Sequence, residues 1–193
     1  MDKMEKAIFL DKDGTLIPDV PYNVNPKLVC IEENSLEGLK SFRDMGYKLV
    51  VISNQSGIAR GYFAEDALRG VEETIQKLLA RHDLNIDTFY YCPHDVDDNC
   101  NCRKPKPGML LQAALDLNVD LAQSWMIGDI LNDIEAGNTA GCKTILIDNG
   151  NETEWNLNEN RQPTFKAKHI NEAAQLIQRT DAALHLKHTF IHD

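Results

Sequence analysis

The sequence predicts an α/β fold, a Rossmann-like, doubly wound parallel sheet with helices on both faces, which makes three layers. Short, nearly continuous apolar runs alternate with stretches whose apolar residues recur at helical spacing. Runs that are apolar throughout indicate strands buried on both faces, and such strands are parallel because helical crossovers cover them. The length of 193 residues is close to one domain of about 150 residues.

The predicted elements follow one another regularly from residue 7 onwards. The first strand is predicted at 7–10, and the first helix carries Leu36, Leu39 and Phe42 on one face before Gly46 ends it as a left-handed cap. The alternation continues with strands at 47–52, 89–92, 124–127 and 144–147, and with helices at 67–79, 107–117 and 134–140. The carboxyl ends of parallel strands share one edge of the sheet, so we expect function there.

Two connections and the end of the chain break this alternation. Residues 14–29 form a long polar connection where a helix is due, and residues 149–168 are Asn-rich and predicted to be irregular. A last helix is predicted at 170–178. We therefore expect a single domain over residues 1–180 and a C-terminal tail over 181–193, to which the sequence assigns no role.

Composition excludes several classes of partner. Twenty Lys and Arg against thirty Asp and Glu give a net charge of -10, which repels nucleic acid and anionic membrane surfaces. No apolar run exceeds four residues, and the first ten residues lack the pattern of a signal peptide. We expect a monomer in the cytoplasm that binds neither nucleic acid nor membrane. In that reducing compartment five cysteines argue against disulfides and favour a metal site.

Acidic and hydroxyl side chains follow three of the first four predicted strands. Asp11 and Asp13 come after the first strand, Ser53 ends the second, and Asp129 and Asp133 follow the fourth. An Asp-x-Asp-Gly sequence alone is as often a simple turn. Carboxylates gathered at one edge repel one another unless a cation joins them, and Mg²⁺ suits oxygen ligands best. The pattern therefore predicts a magnesium site that can receive a phosphate.

A second predicted metal site lies in the loop over residues 92–102. Four residues within eleven positions form a set suited to tetrahedral Zn²⁺: Cys92, His94, Cys100 and Cys102. Four protein ligands leave no open position, so this zinc is predicted to be structural. The alternative, buried apolar cysteines, fits Cys30 and Cys142 better, because residues 95–99 are too polar for a core.

Four ordered motifs, DKDGT, ISNQSG, RKPKPG and GDILND, resemble those of the haloacid dehalogenase superfamily of phosphatases over residues 6–150. Within it, the stretches at 54–61, 91–94 and 100–105 closely resemble the D-glycero-D-manno-heptose 1,7-bisphosphate 7-phosphatases, whose nearest relatives are the histidinol-phosphate phosphatases. Residues 57–90 are too short for a large cap domain. The resemblance implies a Mg²⁺-dependent phosphomonoesterase that acts on a small phosphorylated sugar in heptose biosynthesis.

The resemblance implies roles for the acidic residues. Asp11 would be the nucleophile that forms an aspartyl phosphate, which divides one difficult step into two easier ones. Asp13 would protonate the leaving sugar oxygen and later accept a proton from water. Asp11, the backbone carbonyl of Asp13 and Asp129 would hold Mg²⁺, with Asp133 orienting a ligand or a water behind them.

The resemblance also implies which groups hold the transferring phosphoryl group. Ser53 and the backbone N–H of Asn54 would bind phosphoryl oxygens. Lys104 would neutralise the charge that develops during transfer. Lys106 is the alternative for this role, but the family motif places its lysine directly after the Cys-x-Cys-Arg turn.

Four further residues are candidates for contact with the rest of the substrate. Arg103 would bind a second phosphate or a sugar hydroxyl, although a surface arginine is the alternative on an acidic protein. Arg60 is a candidate for the distal phosphate. Asp19 and Tyr22, in a proline-rich flap at 15–27, would touch the sugar if the flap lies over the site, and an exposed turn is an equal alternative.

Three functions stay open at this point. The first is removal of the 7-phosphate of heptose 1,7-bisphosphate, which the NQSGIARG and RKPKPGM sequences favour. The second is hydrolysis of histidinol phosphate or another small sugar phosphate, because the spacing between His94 and Cys100 also occurs in that relative. The third is a non-catalytic scaffold stabilised by zinc, which the complete set of reactive side chains disfavours.

Overall fold

The computed structural model describes residues 4–189 and contains a six-stranded parallel sheet in the order β3-β2-β1-β4-β5-β6. The strands are β1 (Lys6–Leu10), β2 (Tyr47–Asn54), β3 (Thr88–Cys92), β4 (Trp125–Gly128), β5 (Lys143–Ile147) and β6 (Phe165–Ala167). The α-helices are α1 (Leu36–Asp44), α2 (Leu68–Ala80), α3 (Gly108–Leu117), α4 (Leu131–Ala140) and α5 (Ile170–Thr189). The predicted doubly wound sheet is confirmed.

The core lies on both faces of this sheet, because successive side chains of a strand point to opposite faces. In β1, Ile8 and Leu10 pack on the face covered by α1, α2 and α5, whereas Phe9 packs on the face covered by α3 and α4. The strand order reverses where β1 lies between β2 and β4. A crevice forms at such a reversal beyond the carboxyl ends of the strands, and the candidate site lies there.

Two parts of the chain differ from the prediction. Residues 149–168 are not irregular throughout, because Phe165–Ala167 forms β6 beside β5. A three-residue strand is too short to show a period in the sequence. The last helix, predicted at 170–178, continues to Thr189 and crosses the predicted domain boundary at 180. The end of the predicted tail, residues 190–193, lies outside the described residues.

The other predicted elements are present, with boundaries that differ by a few residues. Gly46 has a φ of 82° and ends α1 as the sequence indicates. The largest shift is at α4, which begins at Leu131 instead of 134, because Asp133 Oδ2 accepts a hydrogen bond from Ile130 N and caps the helix there. Over residues 4–189 no helix has the length and apolar character needed to cross a membrane.

The extra turns of α5 are attached to the sheet through Asp181. Its carboxylate accepts hydrogen bonds from Tyr47 Oη at 2.9 Å and from Lys6 Nζ at 3.2 Å, and both partners stand at the start of neighbouring strands. The Lys6 ammonium also lies 4.0 Å from the centre of the Tyr47 ring. Asp181 therefore joins the helix to β1 and β2.

Replacing Asp181 by Ala is expected to lower the free energy of unfolding by about 1–3 kcal/mol, because two partly buried donors lose a charged acceptor. Thermal unfolding followed by circular dichroism measures the effect. The matched control is Asp116→Ala, which removes a comparable bond from Tyr90 Oη, 2.9 Å long, on the exposed side of α3. Equal melting temperatures for the two variants would mean that α5 beyond residue 178 does not stabilise the fold.

Candidate active site

Three carboxylates meet beyond the carboxyl ends of β1 and β4. Asp11, Asp129 and Asp133 each offer an oxygen, and these oxygens lie within 4.8 Å of one another. All three residues are buried, Asp133 completely. The predicted convergence of acidic side chains at this edge is therefore present, and β1 and β4 are hydrogen-bonded neighbours.

Two glycines make this close approach possible. Gly14 has a φ of 83°, and a Cβ at this position would overlap Asp129 Oδ2. A Cβ at Gly128 would overlap the carboxyl group of Asp133. The Asp-Gly and Gly-Asp pairs of the two motifs are thus required where carboxylates pack directly against the backbone.

Lys104 is the cation of the cluster. It is buried and forms ion pairs with Asp11 and, at 2.6 Å, with Asp133, while Nζ donates a hydrogen bond to Ile52 O at 2.8 Å. Burial lowers the pKa of Lys104, but the two carboxylates outweigh it and the pKa lies above its ordinary value. Lys104 is therefore charged at neutral pH.

The carboxyl groups of the cluster are destabilised in their charged form, which raises their pKa values. Burial is the largest cause that raises the pKa of Asp11, Lys104 opposes it, and the neighbouring carboxylates of Asp133 and Asp129 raise it further. The pKa of Asp129 is raised to about 6, first by burial and then by Asp133. One ammonium does not neutralise three carboxylates, and the all-oxygen donor set fits Mg²⁺. Asp133 stands among these oxygens, in direct contact with Lys104.

Asn54 holds the Lys104 peptide in place. Its side-chain Nδ2 donates to Lys104 O at 3.0 Å, and Lys104 N donates to Asn54 Oδ1 at 3.0 Å. Lys106 is exposed, and its ammonium donates to Asn99 O and Cys100 O. The lysine inside the site is therefore Lys104.

Several residues of the site have no counterpart in the sequence predictions. Gln55 Nε2 donates to Asp13 Oδ2 at 3.0 Å and to Ser53 Oγ at 2.8 Å. Lys12, at the centre of the Asp-x-Asp sequence, is buried and donates to Asp13 Oδ1 at 2.9 Å. Gln55 belongs to the NQSG motif, so its position after β2 could have indicated that it lies in the site. Nothing in the sequence indicates that the side chain of Lys12 is buried.

The Asn-rich segment after β5 supplies another wall of the site. Asn151 Nδ2 donates to Asp129 Oδ2 at 2.8 Å, and Asn149 Nδ2 donates to Gly14 O at 2.8 Å. Thr15 Oγ1 donates to the other oxygen of Asp129 at 3.2 Å. The position of these asparagines directly after a predicted strand was the available signal.

The candidate substrate residues fall into separate groups. Arg60 forms a two-point ion pair with Asp95, at 2.7 and 2.9 Å, and donates to Tyr22 Oη at 2.6 Å, so its guanidinium is bound by protein groups. Arg60 is the main cause that lowers the pKa of Asp95 to about 2. Arg103 Nη1 donates to His94 O at 3.1 Å. Asp19 is exposed and lines a cavity of about 390 Å³ that also borders Thr15 and Asn151 at the edge of the site.

The four predicted zinc ligands are gathered at one point. Three sulfur–sulfur distances among the cysteines are 3.2, 3.4 and 3.6 Å, and His94 Nδ1 lies 3.6 Å from Cys92 Sγ and 3.3 Å from Cys102 Sγ. A zinc tetrahedron has edges of roughly 3.5–3.8 Å, whereas disulfide sulfurs are about 2.05 Å apart. The observed distances of 3.2–3.6 Å are close to the edges of a zinc tetrahedron and far from the length of a disulfide.

The thiols of this cluster differ in acidity. Burial is the main cause that raises the pKa of Cys92. Burial also acts on Cys100, but there the N–H of Arg103 and the neighbouring thiols outweigh it and lower the pKa to about 7. Arg103 N donates to Cys100 Sγ at 3.4 Å, so the cysteine cluster is bonded to the residue that precedes Lys104.

The chain is similar in sequence to known proteins. A family profile described as HAD-hydrolase-like matches residues 101–173. The D-glycero-beta-D-manno-heptose-1,7-bisphosphate 7-phosphatase of Pasteurella multocida (strain Pm70) is 46% identical over 154 residues, which cover 76% of this chain and 84% of the relative. The enzyme of the same name from Escherichia coli (strain K12) is 38% identical over 174 residues, covering 82% and 91%.

The fold of the chain is also similar to that of a solved structure. The D,D-heptose 1,7-bisphosphate phosphatase from B. bronchiseptica, complexed with magnesium and phosphate, superimposes with a TM-score of 0.77 at 32% identity. The match covers 90% of this chain and 99% of that one.

Replacing Lys104 by Met is expected to lower the stability of the metal-free protein by about 3–5 kcal/mol, because buried carboxylates lose their cation. Protonation removes their charge, so the loss should grow as pH rises through the raised pKa values of Asp11 and Asp129 and should be larger near pH 8 than near pH 5. Chemical unfolding at the two pH values measures it. Lys106→Met is the control. A similar loss of stability in that variant would contradict the conclusion that Lys104 is the cation of the carboxylate cluster.

Proposed function

The chain belongs to the HAD-like hydrolases, in the family of D-glycero-beta-D-manno-heptose-1,7-bisphosphate 7-phosphatases, and from this we propose that it removes the 7-phosphate of D-glycero-D-manno-heptose 1,7-bisphosphate. The observation that carries the proposal is the buried cluster of Asp11, Asp129, Asp133 and Lys104. Carboxylates kept close together by one ammonium are suited to a divalent cation and a phosphoryl group.

In the first step, an oxygen of Asp11 attacks the phosphorus of the 7-phosphate. The bond between phosphorus and the sugar oxygen breaks, and Asp13 donates a proton to that oxygen as it leaves. The products are the free 7-hydroxyl group and an aspartyl phosphate. Asp13 is partly exposed, with 26% of its side chain accessible, so a substrate can reach it.

In the second step, water attacks the phosphorus of the aspartyl phosphate and Asp13 accepts a proton from that water. The bond between phosphorus and the oxygen of Asp11 breaks, which releases inorganic phosphate and restores the carboxylate. Lys104 stays protonated throughout, because its raised pKa keeps it charged, and it offsets the negative charge of the phosphoryl oxygens.

Mg²⁺ held by Asp11, the backbone carbonyl of Asp13 and Asp129, with Asp133 beside them, would supply further neutralisation of phosphoryl charge. Ser53 and the N–H of Asn54 would bind phosphoryl oxygens. Arg103 would contact the second phosphate or a hydroxyl of the sugar, and Arg60, Asp19 and Tyr22 are candidates for contact with the rest of the substrate. A cytoplasmic location and a monomeric state stay predictions from the sequence.

The zinc proposal rests on the spacing of the four ligand atoms. The loop that they close is bonded to Arg103 in two ways, through Arg103 N to Cys100 Sγ and through Arg103 Nη1 to His94 O. A zinc ion there would fix the backbone that carries Arg103 and Lys104 relative to Asp11. Its role would be structural.

Phosphate release measured with heptose 1,7-bisphosphate and with histidinol phosphate is expected to show a kcat/KM at least tenfold higher for the sugar. Mg²⁺ should be required, and a chelator should abolish the release. Asp11→Asn is the negative control, because an amide at the nucleophile cannot form the aspartyl phosphate. A preference for histidinol phosphate would reassign the substrate, and inactivity toward both would favour the scaffold interpretation.

Replacing Cys100 and Cys102 together by Ser is expected to remove about one zinc ion per chain and to lower the melting temperature, because the metal binds only the folded loop. Elemental analysis and calorimetry measure the two effects. Cys30→Ser, at an exposed cysteine outside the cluster, is the control and should change neither. Unaltered zinc content in the double variant would remove the proposed site.

A further inference from the structure

Lys12 is a buried lysine to which the proposed chemistry assigns no task. Its side chain is 1% exposed, although it lies in the turn directly after the nucleophile. A buried ammonium is strongly unfavourable unless an anion or several acceptors compensate it. Over residues 4–189 its Nζ makes one hydrogen bond, 2.9 Å long, to Asp13 Oδ1. The compensating partner is therefore the carboxylate proposed to transfer protons.

The backbone on both sides of Asp13 is fixed by a tight turn. Leu16 N and Ile17 N both donate to Lys12 O, at 3.0 and 2.9 Å, and Gly14 N donates to Ile17 O at 2.7 Å. A fixed backbone still leaves the side chain of an aspartate free to rotate. In Asp13 two side chains prevent this rotation, because Lys12 binds Oδ1 and Gln55 binds Oδ2.

The two bonds are unequal in kind. The bond from Lys12 is donated by an ammonium and is the stronger one, whereas the amide of Gln55 is neutral and also binds Ser53 Oγ. Oδ1 is thus the anchored oxygen. Oδ2 is the oxygen that can exchange its partner for the leaving oxygen of a substrate or for the attacking water.

We propose that Lys12 is a positioning residue that holds the carboxyl group of Asp13 in the orientation needed for proton transfer. This inference rests on the proposed function. Proton transfer requires the donor within hydrogen-bonding reach of the acceptor, and a rotating carboxyl group meets that condition only part of the time. Lys12 acts through Asp13 and does not itself contact the phosphoryl group.

The leaving group distinguishes positioning of Asp13 from direct stabilisation of phosphate. A sugar alkoxide is a strong base and must be protonated as it leaves, whereas p-nitrophenolate is a weak base and leaves without a proton. The parameter kcat/KM reports the steps up to the first irreversible one, here the formation of the aspartyl phosphate. Loss of a positioned acid should therefore reduce kcat/KM for the sugar phosphate and spare the aryl phosphate.

The experiment compares Lys12→Met, Lys12→Arg and wild type on heptose 1,7-bisphosphate and p-nitrophenyl phosphate. Lys12→Met is expected to lose roughly 10- to 100-fold in kcat/KM on the sugar phosphate, less than the roughly 100- to 10,000-fold that a general acid itself contributes, and about twofold or less on the aryl phosphate. The fall on the sugar should lie in kcat, with KM altered by about twofold or less. Lys12→Arg should recover most of the loss, because it restores a cation that can bind Asp13.

The control is Lys6→Met, which removes another lysine–aspartate pair, 3.2 Å long, at the start of the same strand and away from the site. It should leave both substrates unchanged. The ratio of the two kcat/KM values is independent of the fraction of folded enzyme, so a less stable variant still gives an answer. Equal losses on both substrates, a loss confined to KM, or no loss would overturn the inference. A wild type inactive on heptose 1,7-bisphosphate would instead refute the proposed function.

Discussion

Repulsion among three buried carboxylates is the constraint on which the site depends. Asp11, Asp129 and Asp133 are close enough to raise one another's electrostatic energy, and burial removes the water that would screen them. Lys104 compensates part of this charge from inside the cluster. The remaining negative charge would favour a divalent cation in the site, so the unfavourable electrostatics and the proposed function have the same origin.

The rest of the fold keeps this arrangement from relaxing. The strand order places β1 between β2 and β4, so Asp11 stands between the hydroxyl of Ser53 and the carboxylate of Asp129. Lys104 is on a loop, and a loop residue is mobile unless it is tied down. Asn54 binds its peptide on one side, and the cysteine cluster binds Arg103 on the other. These bonds restrain the backbone of Lys104 although this residue lies on a loop.

The same principle applies to Asp13, whose proposed role is to exchange protons and whose side chain is less deeply buried than that of Asp11. Its side chain is partly exposed, and bonds to Lys12 and Gln55 replace the restraint that burial gives to the other carboxylates. The groups around the site therefore differ in role according to their burial. Buried groups hold charge in place, and partly exposed groups stay accessible to substrate and water.

The sequence by itself determined the α/β class, the order of the elements and the acidic edge of the sheet. These features depend on the spacing of apolar residues and on the residues that follow each strand, which can be read along the chain. The sequence could not reveal β6 or the length of α5, since both depend on packing against distant partners such as Tyr47. Nor could it place Lys12 in the site, and for Gln55 and Asn151 it showed a position after a strand but not the contacts that they make. Only the tertiary structure decided these contacts, because the direction of a side chain is set by neighbours that the chain brings together on folding.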